Sequence, residues 1–541
     1  MKINPLQDIL SQFRISVLGD NLMRKYNNEK SPLRSELFST DQMEQYAKTL
    51  AASHSVIIER APEQLLTRLA ENEEMLLEVH NLITESAKAN SRISPAAEWL
   101  LDNFYLIEEQ IYIGKKHFPK RYSEGLPRLL KGPSAGLPRV YDIALEIISH
   151  SDGRVDLRSL GSFIGAYQTV ANLNLGELWA IPIMLRLALI ENLRRLAAQI
   201  AIDRINKNLA DYWADEMTEI AEKDPKNLIV VIANMAKSNP PMVSSFVAEL
   251  TRRLLGKGPA LALPLTWIEQ RLSENGMTTN GLVHTENQKQ AADQVSMSNS
   301  ISSLRFLSNT DWREFVETNS VVEQTLRQDT GGIYAAMDFD TRDQYRHVVE
   351  KIAKRSKLSE QEVAQIAIQL AKENAERNAK ETRTTHVGFY LIGKGLGQTE
   401  KLARMHLTGI EMFHKLVAKI PLSLYIGLSI LFTLMLSTAL FAKAYSDGLH
   451  TGWLIGLAIV SVICISQFVI TLVNWLVTLW IPPHFLPRMD FSRGIPHASR
   501  TLVVVPAMLD SISELENLIE KMEVRFLANR NENLHFALLT D

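Results

Sequence analysis

Two stretches of this chain carry no charged residue at all, Pro421 to Ala442 and Gly452 to Pro483. A helix crossing the hydrocarbon core of a bilayer needs about 20 predominantly apolar residues, and each stretch provides them. Buried helices of soluble proteins seldom run so long without a charge, so both are read as transmembrane helices, over 421–442 and 452–483. Trp453, Trp475 and Trp480 lie towards the ends of the second, where amphipathic rings favour the headgroup layer. Only "KAYSDGLHT" (443–451) separates the two, which makes them a hairpin. Lys401, Arg404, Lys415 and Lys419 precede it and Arg488, Arg493 and Arg500 follow it, whereas the loop has Lys443 alone beside Asp447. Basic flanks resist translocation, so both ends are expected in the cytoplasm and the loop outside.

The remainder reads as folded protein. Hydrophobic residues make up 46% and charged residues 22%, close to a globular average. A net charge of −3 gives no argument for a nucleic-acid partner. The single cysteine, Cys464, excludes an internal disulfide and a cysteine-rich metal site. The opening "MKINPLQDILSQFRIS" lacks the apolar core of an export signal and is expected to stay inside the cell.

Residues 1–400 read as helical almost throughout. Ile202, Ile205, Leu209, Tyr212, Trp213, Met217 and Ile220 recur at three-and-four spacing and share one helix face. Ser94 before Pro95 starts another helix, whose apolar side takes Trp99, Leu100, Leu106, Ile107 and Ile111. Ser359 and Glu362 form a capping box ahead of Val363, Ile366 and Leu370. Pro240-Pro241, Gly256–Pro259 and Gly331-Gly332 mark breaks between helical groups. "GELWAIPIMLRLALIENLRRL" is apolar enough to suggest a third span, but Glu177, Arg186 and Glu191 interrupt it, so it is read as a soluble core helix. Asn287–Arg305 gives the weakest helix signal, with a loop crossing the bundle as the alternative, and "HVGFYLI" (386–392) reads as the best strand pattern before the hairpin.

Few fragments before the hairpin point to chemistry. Asp338 and Asp340 match the Asp-x-Asp that holds a divalent metal and a sugar diphosphate, yet they open the helix "TRDQYRHVVEKIAK", where capping is the better reading. "GKGLG" (393–397) could cradle phosphate between strand and helix, but its spacing fits neither established glycine pattern and a hinge explains it more simply. The 13 histidines show no metal-ligand spacing. Cys464, inside the second span, reads as inert, and Asn474 there as a bond to a neighbouring helix.

After the second span comes a proline-rich linker, 484–499. It leads to the strand "TLVVVP", an amphipathic helix over Ser511–Asn529 and the strand "LHFALLTD". Strand–helix–strand is the opening unit of a parallel nucleotide-binding sheet, with ligands at the carboxyl ends of the strands. Pro506 and Asp541 occupy those ends; a turn proline and a chance terminus are the competing reading.

The chain resembles the N-terminal portion of a bacterial cyclic β-1,2-glucan synthase. The likeness runs in order through "SELFSTDQMEQYAKTLA", "SPAAEWLLDNFYLIEEQI", "GELWAIPIMLRLALIENLRRLA", "QVSMSNSISSLRFLSNTDWREF", "YAAMDFDTRDQYRHVVEKIAKRS", "HVGFYLI" and "FLPRMDFSRGIPHASRTLVVVPAML". It implies a mainly α fold. A cytoplasmic all-helical domain over 1–400 is followed by a basic juxtamembrane helix over 401–420, then the hairpin with its loop in the periplasm. An incomplete α/β glycosyltransferase domain starts at 500–541. It further implies location in the inner membrane, UDP-glucose and the growing β-1,2-glucan as partners beside the lipid bilayer, and a divalent cation, magnesium or manganese; oligomerisation is left open as one role of the helical domain. No ligands for that cation, and no catalytic residue, are expected in this chain. Pro506, Ala507 and Asp541 are expected to form part of the uridine pocket, and the chain by itself is expected to make no glucan. The alternative is a non-catalytic, membrane-anchored helical scaffold that docks on a separately encoded glucosyltransferase.

Overall fold

In the computed structural model, residues 30–58, 62–89, 92–118, 123–377, 383–409, 421–480, 486–508 and 511–540 are described, together with Tyr26 and Met412. The chain forms two compact units, Met1–Ser320 and Val321–Asp541.

The first unit is built round one helix of 49 residues, Leu175–Lys223. It opens on a capping box in which Asn174 and Glu177 satisfy each other's backbone donors. It contains the segment that tempted a third span, and there Leu185, Leu189, Ile190, Leu193 and Leu196 are fully buried in protein. Its lower half carries the three-and-four stripe; Trp213 and Met217 are buried in a separate small core with Leu228, Met235, Phe246, Leu250, Ile268 and Leu272. The Ser94–Pro95 start is as read: the Ser94 hydroxyl accepts from the Ala97 amide and Pro95 fills the first turn. That helix ends at Asp102, and a second runs over Phe104–His117. The first unit also holds a two-residue antiparallel ladder, Val56–Ile57 against Arg128–Leu129, within a region read as all helix.

The polar stretch Asn287–Arg305 is no loop. It lies within the helix Thr279–Asn309, and its small polar side chains face the core. Ser296, Ser300 and Ser303 are buried, and each finds a partner. Ser303 Oγ accepts from the Val155 amide and donates to the Gly153 carbonyl, Ser300 Oγ accepts from Asn192 Nδ2, and Ser296 donates to Asp152. Gly153 has a φ of 78°, and an added Cβ would stand 2.5 Å from Ser300 Oγ, so this serine helix packs directly on backbone. The same face buries Met297, Ile301 and Leu304 at four-and-three spacing, an apolar stripe that the serines between them dilute.

In the second unit, Tyr345, Val349, Val363, Ala367 and Tyr390 form a core. Ser359 and Glu362 make the expected box at the start of Glu360–Arg377, with Ser359 N donating to Glu362 Oε2 at 2.7 Å. "HVGFYLI" is a turn and a single helical turn, Gly388–Leu391, rather than a strand. A short apolar run carries no period, and here Asp329 fixes it by accepting from the Val387 amide and bonding His386 Nδ1. "GKGLG" therefore follows no strand. A Cβ on Gly393 would meet the Phe389 carbonyl oxygen at 2.8 Å and one on Gly395 the Phe389 ring at 2.7 Å, so these glycines serve close packing. The helix Leu396–Leu402 stops where Arg404 turns left-handed (φ 51°) and Met405 N reaches back to the Glu400 carbonyl. A helix continuous over 401–420 is thus broken near its start; residues 410–411 and 413–420 lie outside the described residues.

The hairpin helices run over Pro421–Ser446 and Thr451–Trp480. Their spanning windows have mean hydropathy of 2.0 and 2.4 and are only 17% buried within the protein. Tyr425 on the first donates to Asn474 Oδ1 on the second at 2.9 Å, the interhelical bond expected of that asparagine. Cys464 is exposed on the second helix.

Candidate functional site

Beyond the hairpin, Thr501–Ala507 and Leu534–Thr540 form a parallel pair joined by the helix Ile512–Ala528. The helix starts where Ser511 accepts from the Glu514 amide, and Phe526 meets Phe536 edge-on at 6.3 Å. Val503 pairs with Phe536, Pro506 with Leu539 and Ala507 with Thr540. The sequence-predicted residues Pro506 and Ala507 therefore do stand at the carboxyl edge, next to Thr540; Asp541 lies outside the described residues. Leu502 and Val504 are 59% and 43% exposed, and the joining helix buries no residue. Strands apolar on both faces belong to sheets covered on both faces.

The segment leading into this unit is anchored. Met489 pairs antiparallel with Met337; the Asp338 amide donates to the Arg488 carbonyl at 3.0 Å, and the Asp490 amide donates to the Ala336 carbonyl at 2.9 Å. The same tripeptide, Met-Asp-Phe, stands at 337–339 and 489–491, so the two copies clasp each other with matching bonds. Thr341 Oγ1 accepts a further bond from the Arg488 amide. Sequence reading missed this contact, and the repeated tripeptide was the signal that could have found it.

The clasp explains the Asp-x-Asp motif. The Asp338 carboxylate accepts from the Thr341 amide at 3.0 Å, capping Phe339–Ala353 as the capping reading had it, while its own amide serves the clasp. Asp340 is exposed in the first turn, where its charge favours the helix dipole. Beneath lies a buried charge cluster. Glu323 accepts from Tyr334 Oη and from Arg346 Nη1, both at 2.6 Å, and from Arg327 Nε at 2.8 Å. Arg342 donates to the Met337 carbonyl, linking this cluster to the clasp. Burial, reinforced by the Glu323 carboxylate, pushes the Tyr334 hydroxyl far above its ordinary range and keeps it a proton donor.

Among the described residues no three His, Cys, Asp or Glu side chains converge to hold a metal ion.

This is a mainly helical protein with a two-helix membrane hairpin, followed by a parallel strand–helix–strand unit clasped to the helices before the hairpin. No family model matches the chain. It is 31% identical over 513 residues to the cyclic β-(1,2)-glucan synthase NdvB of Rhizobium meliloti (strain 1021), a match covering 94% of this chain and 18% of that protein. The chain is thus a homologue of a cyclic β-(1,2)-glucan synthase along nearly its whole length, and it spans less than a fifth of its relative.

Proposed function

We propose that this chain is the helical and membrane portion of a synthase that polymerises glucose from UDP-glucose into cyclic β-1,2-glucan, and that it is inactive alone. The observation that carries this is the parallel strand–helix–strand unit directly after the hairpin, in a chain homologous to a cyclic β-(1,2)-glucan synthase. Pro506, Ala507 and Asp541 are assigned to the rim of the uridine pocket. The general base that deprotonates the acceptor hydroxyl, and the ligands of the magnesium or manganese ion that neutralises the leaving diphosphate, belong to a fuller sheet. The uncovered apolar strand faces support such completion.

The same reading places the protein in the bacterial inner membrane with both flanks of the hairpin in the cytoplasm. A clasp between residues 337 and 489 needs both flanks on one membrane face, and the basic residues on either side select the inner one. Self-association through the helical domain is part of the proposal. The exposed strands also suit a second reading, a scaffold that docks on a separately encoded glucosyltransferase.

The test is incorporation of glucose from labelled UDP-glucose by membranes containing this chain, with and without the other polypeptides of its host. Product of β-1,2 linkage only when further polypeptide is present supports the proposal, and co-purification of a distinct glucosyltransferase selects the scaffold form. Glucan made by the purified chain alone sinks the claim of inactivity.

A further inference from the structure

A cleft of about 360 Å³ opens in the first unit, between the end of the helix Leu228–Ser238 and the helix Ala262–Ser273. That volume falls within the ~300–1,000 Å³ typical of small-molecule sites. Trp267, Gln270, Arg271 and Glu274 line one wall; their spacing of three, one and three puts them on one helix face. Ile268 and Leu272, on the other face, hold the helix in the core. Asn239, Pro240 and Met242 supply the opposite wall. Asn239 is left-handed (φ 47°), the usual way a helix ends with a short polar side chain free to turn outwards.

The lining has a definite chemical character. The Trp267 indole is half-buried, packed against the small core by one side. Its N–H and the side-chain amides of Asn239 and Gln270 make no hydrogen bond among the described residues, although all three border the cleft. Arg271 and Glu274 pair with each other at 2.8 Å, so the wall presents donors and acceptors without net charge. An anion would meet Glu274 and a cation Arg271; neither is favoured. A half-buried indole ring beside neutral, two-way hydrogen-bonding groups suits a ligand with apolar C–H faces and a rim of hydroxyls.

We propose that this cleft binds a neutral saccharide, with Trp267 stacked under a pyranose ring and Gln270 and Asn239 bonding its hydroxyls. The choice of β-1,2-linked glucose as that saccharide rests on the function proposed above. UDP-glucose, a dianion, is not the ligand; the cleft holds the glucan product or acceptor.

The experiment is calorimetric titration of the whole chain in detergent with linear β-1,2-glucotetraose, maltotetraose, cellotetraose and UDP-glucose in turn. The first should bind, with affinity falling about ten-fold in Trp267→Ala, as expected for loss of one aromatic contact. Gln270→Ala should weaken it about three-fold through one hydrogen bond; Gln270 is exposed, so that variant keeps its fold if Trp267→Ala does not. No binding of any tetraose, or binding unmoved by Gln270→Ala and by a folded Trp267→Ala, overturns the saccharide site. So does tighter binding of UDP-glucose at these residues. Equal, Trp267-dependent binding of all three tetraoses keeps the site and counts against the β-1,2 reading alone.

Discussion

The long helix Leu175–Lys223 and the second hairpin helix Thr451–Trp480 begin from similar apolar sequence and end in opposite environments. In the first, Glu191 is 2% exposed yet carries its charge, because Arg195 Nη2 stands 2.8 Å away with Arg194 and Arg68 close behind. Glu177 is held at 2.6 Å by Arg139, and Arg186 Nε donates to Gln110 at 2.9 Å. In the second, no charge occurs from end to end, and Ile455, Ile459 and Ile463 are 60% exposed or more. A buried charge needs a partner brought by the rest of the chain, and lipid offers none. Isolated charges within an apolar run thus tell a core helix from a span, which hydropathy alone does not.

That comparison can be broken most forcefully at Glu191. Glu191→Ala takes a shared, buried carboxylate from three guanidinium groups and should destabilise the first unit by about 3–5 kcal/mol in urea unfolding. Burial opposes ionisation of this carboxyl, but Arg194, Arg195 and Arg68 outweigh it and hold its pKa down at about 2, against an ordinary 4.5. Because the folded pKa is the lower, the stabilisation is complete above pH about 4.5 and fades as pH falls towards about 2. Glu191→Gln should remove that dependence from the unfolding curve.

Next in size, Ile463→Arg puts a lone charge in the span and should cost about 2.5–3.5 kcal/mol, read as a reduced fraction of inserted hairpin. The same arginine type in the long helix is tolerated because Gln110 awaits it. Gly153→Ala, beneath the serine face, should cost about 1–3 kcal/mol, since it strains a positive φ and crowds Ser300. An unaltered melting temperature would remove the close serine–backbone contact from the account. Smallest of all, Asn474→Leu gives up the bond to Tyr425 and should loosen the hairpin by about 0.6 kcal/mol, measurable by steric trapping in micelles.

How far these features could be read beforehand depends on the kind of force involved. The spans, the Ser94 and Ser359 caps and the parallel strand pair follow from short-range chemistry, so local pattern was enough. Helix Thr279–Asn309 was only weakly legible because its apolar stripe, Met297, Ile301, Leu304 and Leu307, is interleaved with serines whose partners, Asp152, Gly153 and Asn192, lie far away in sequence. His386–Ile392 was misread because Asp329 sets its backbone from 58 residues upstream. At the candidate site the two strands were visible as apolar runs, whereas their tether to residues 336–341 depends on a pairing no single segment encodes.

That tether also has a consequence for the order in which the molecule is made. Arg488 reaches Thr341 across 147 residues of chain, and both membrane helices lie in between. The helices around Tyr345 and Val363 can pack as they leave the ribosome, but their edge at Met337 must wait for Met489. The clasp closes only once the second helix has been inserted and the chain has returned to its starting face. It is a timer: a nascent chain whose hairpin fails to insert keeps an unpaired strand edge at residues 336–338. A disulfide between Met337→Cys and Met489→Cys, in a Cys464→Ser background, should therefore form in chains whose hairpin is inserted and not in full-length chains whose hairpin is kept out of the membrane. Residues facing each other between such paired bonds lie about 4.5 Å apart at Cα, within the reach of a disulfide.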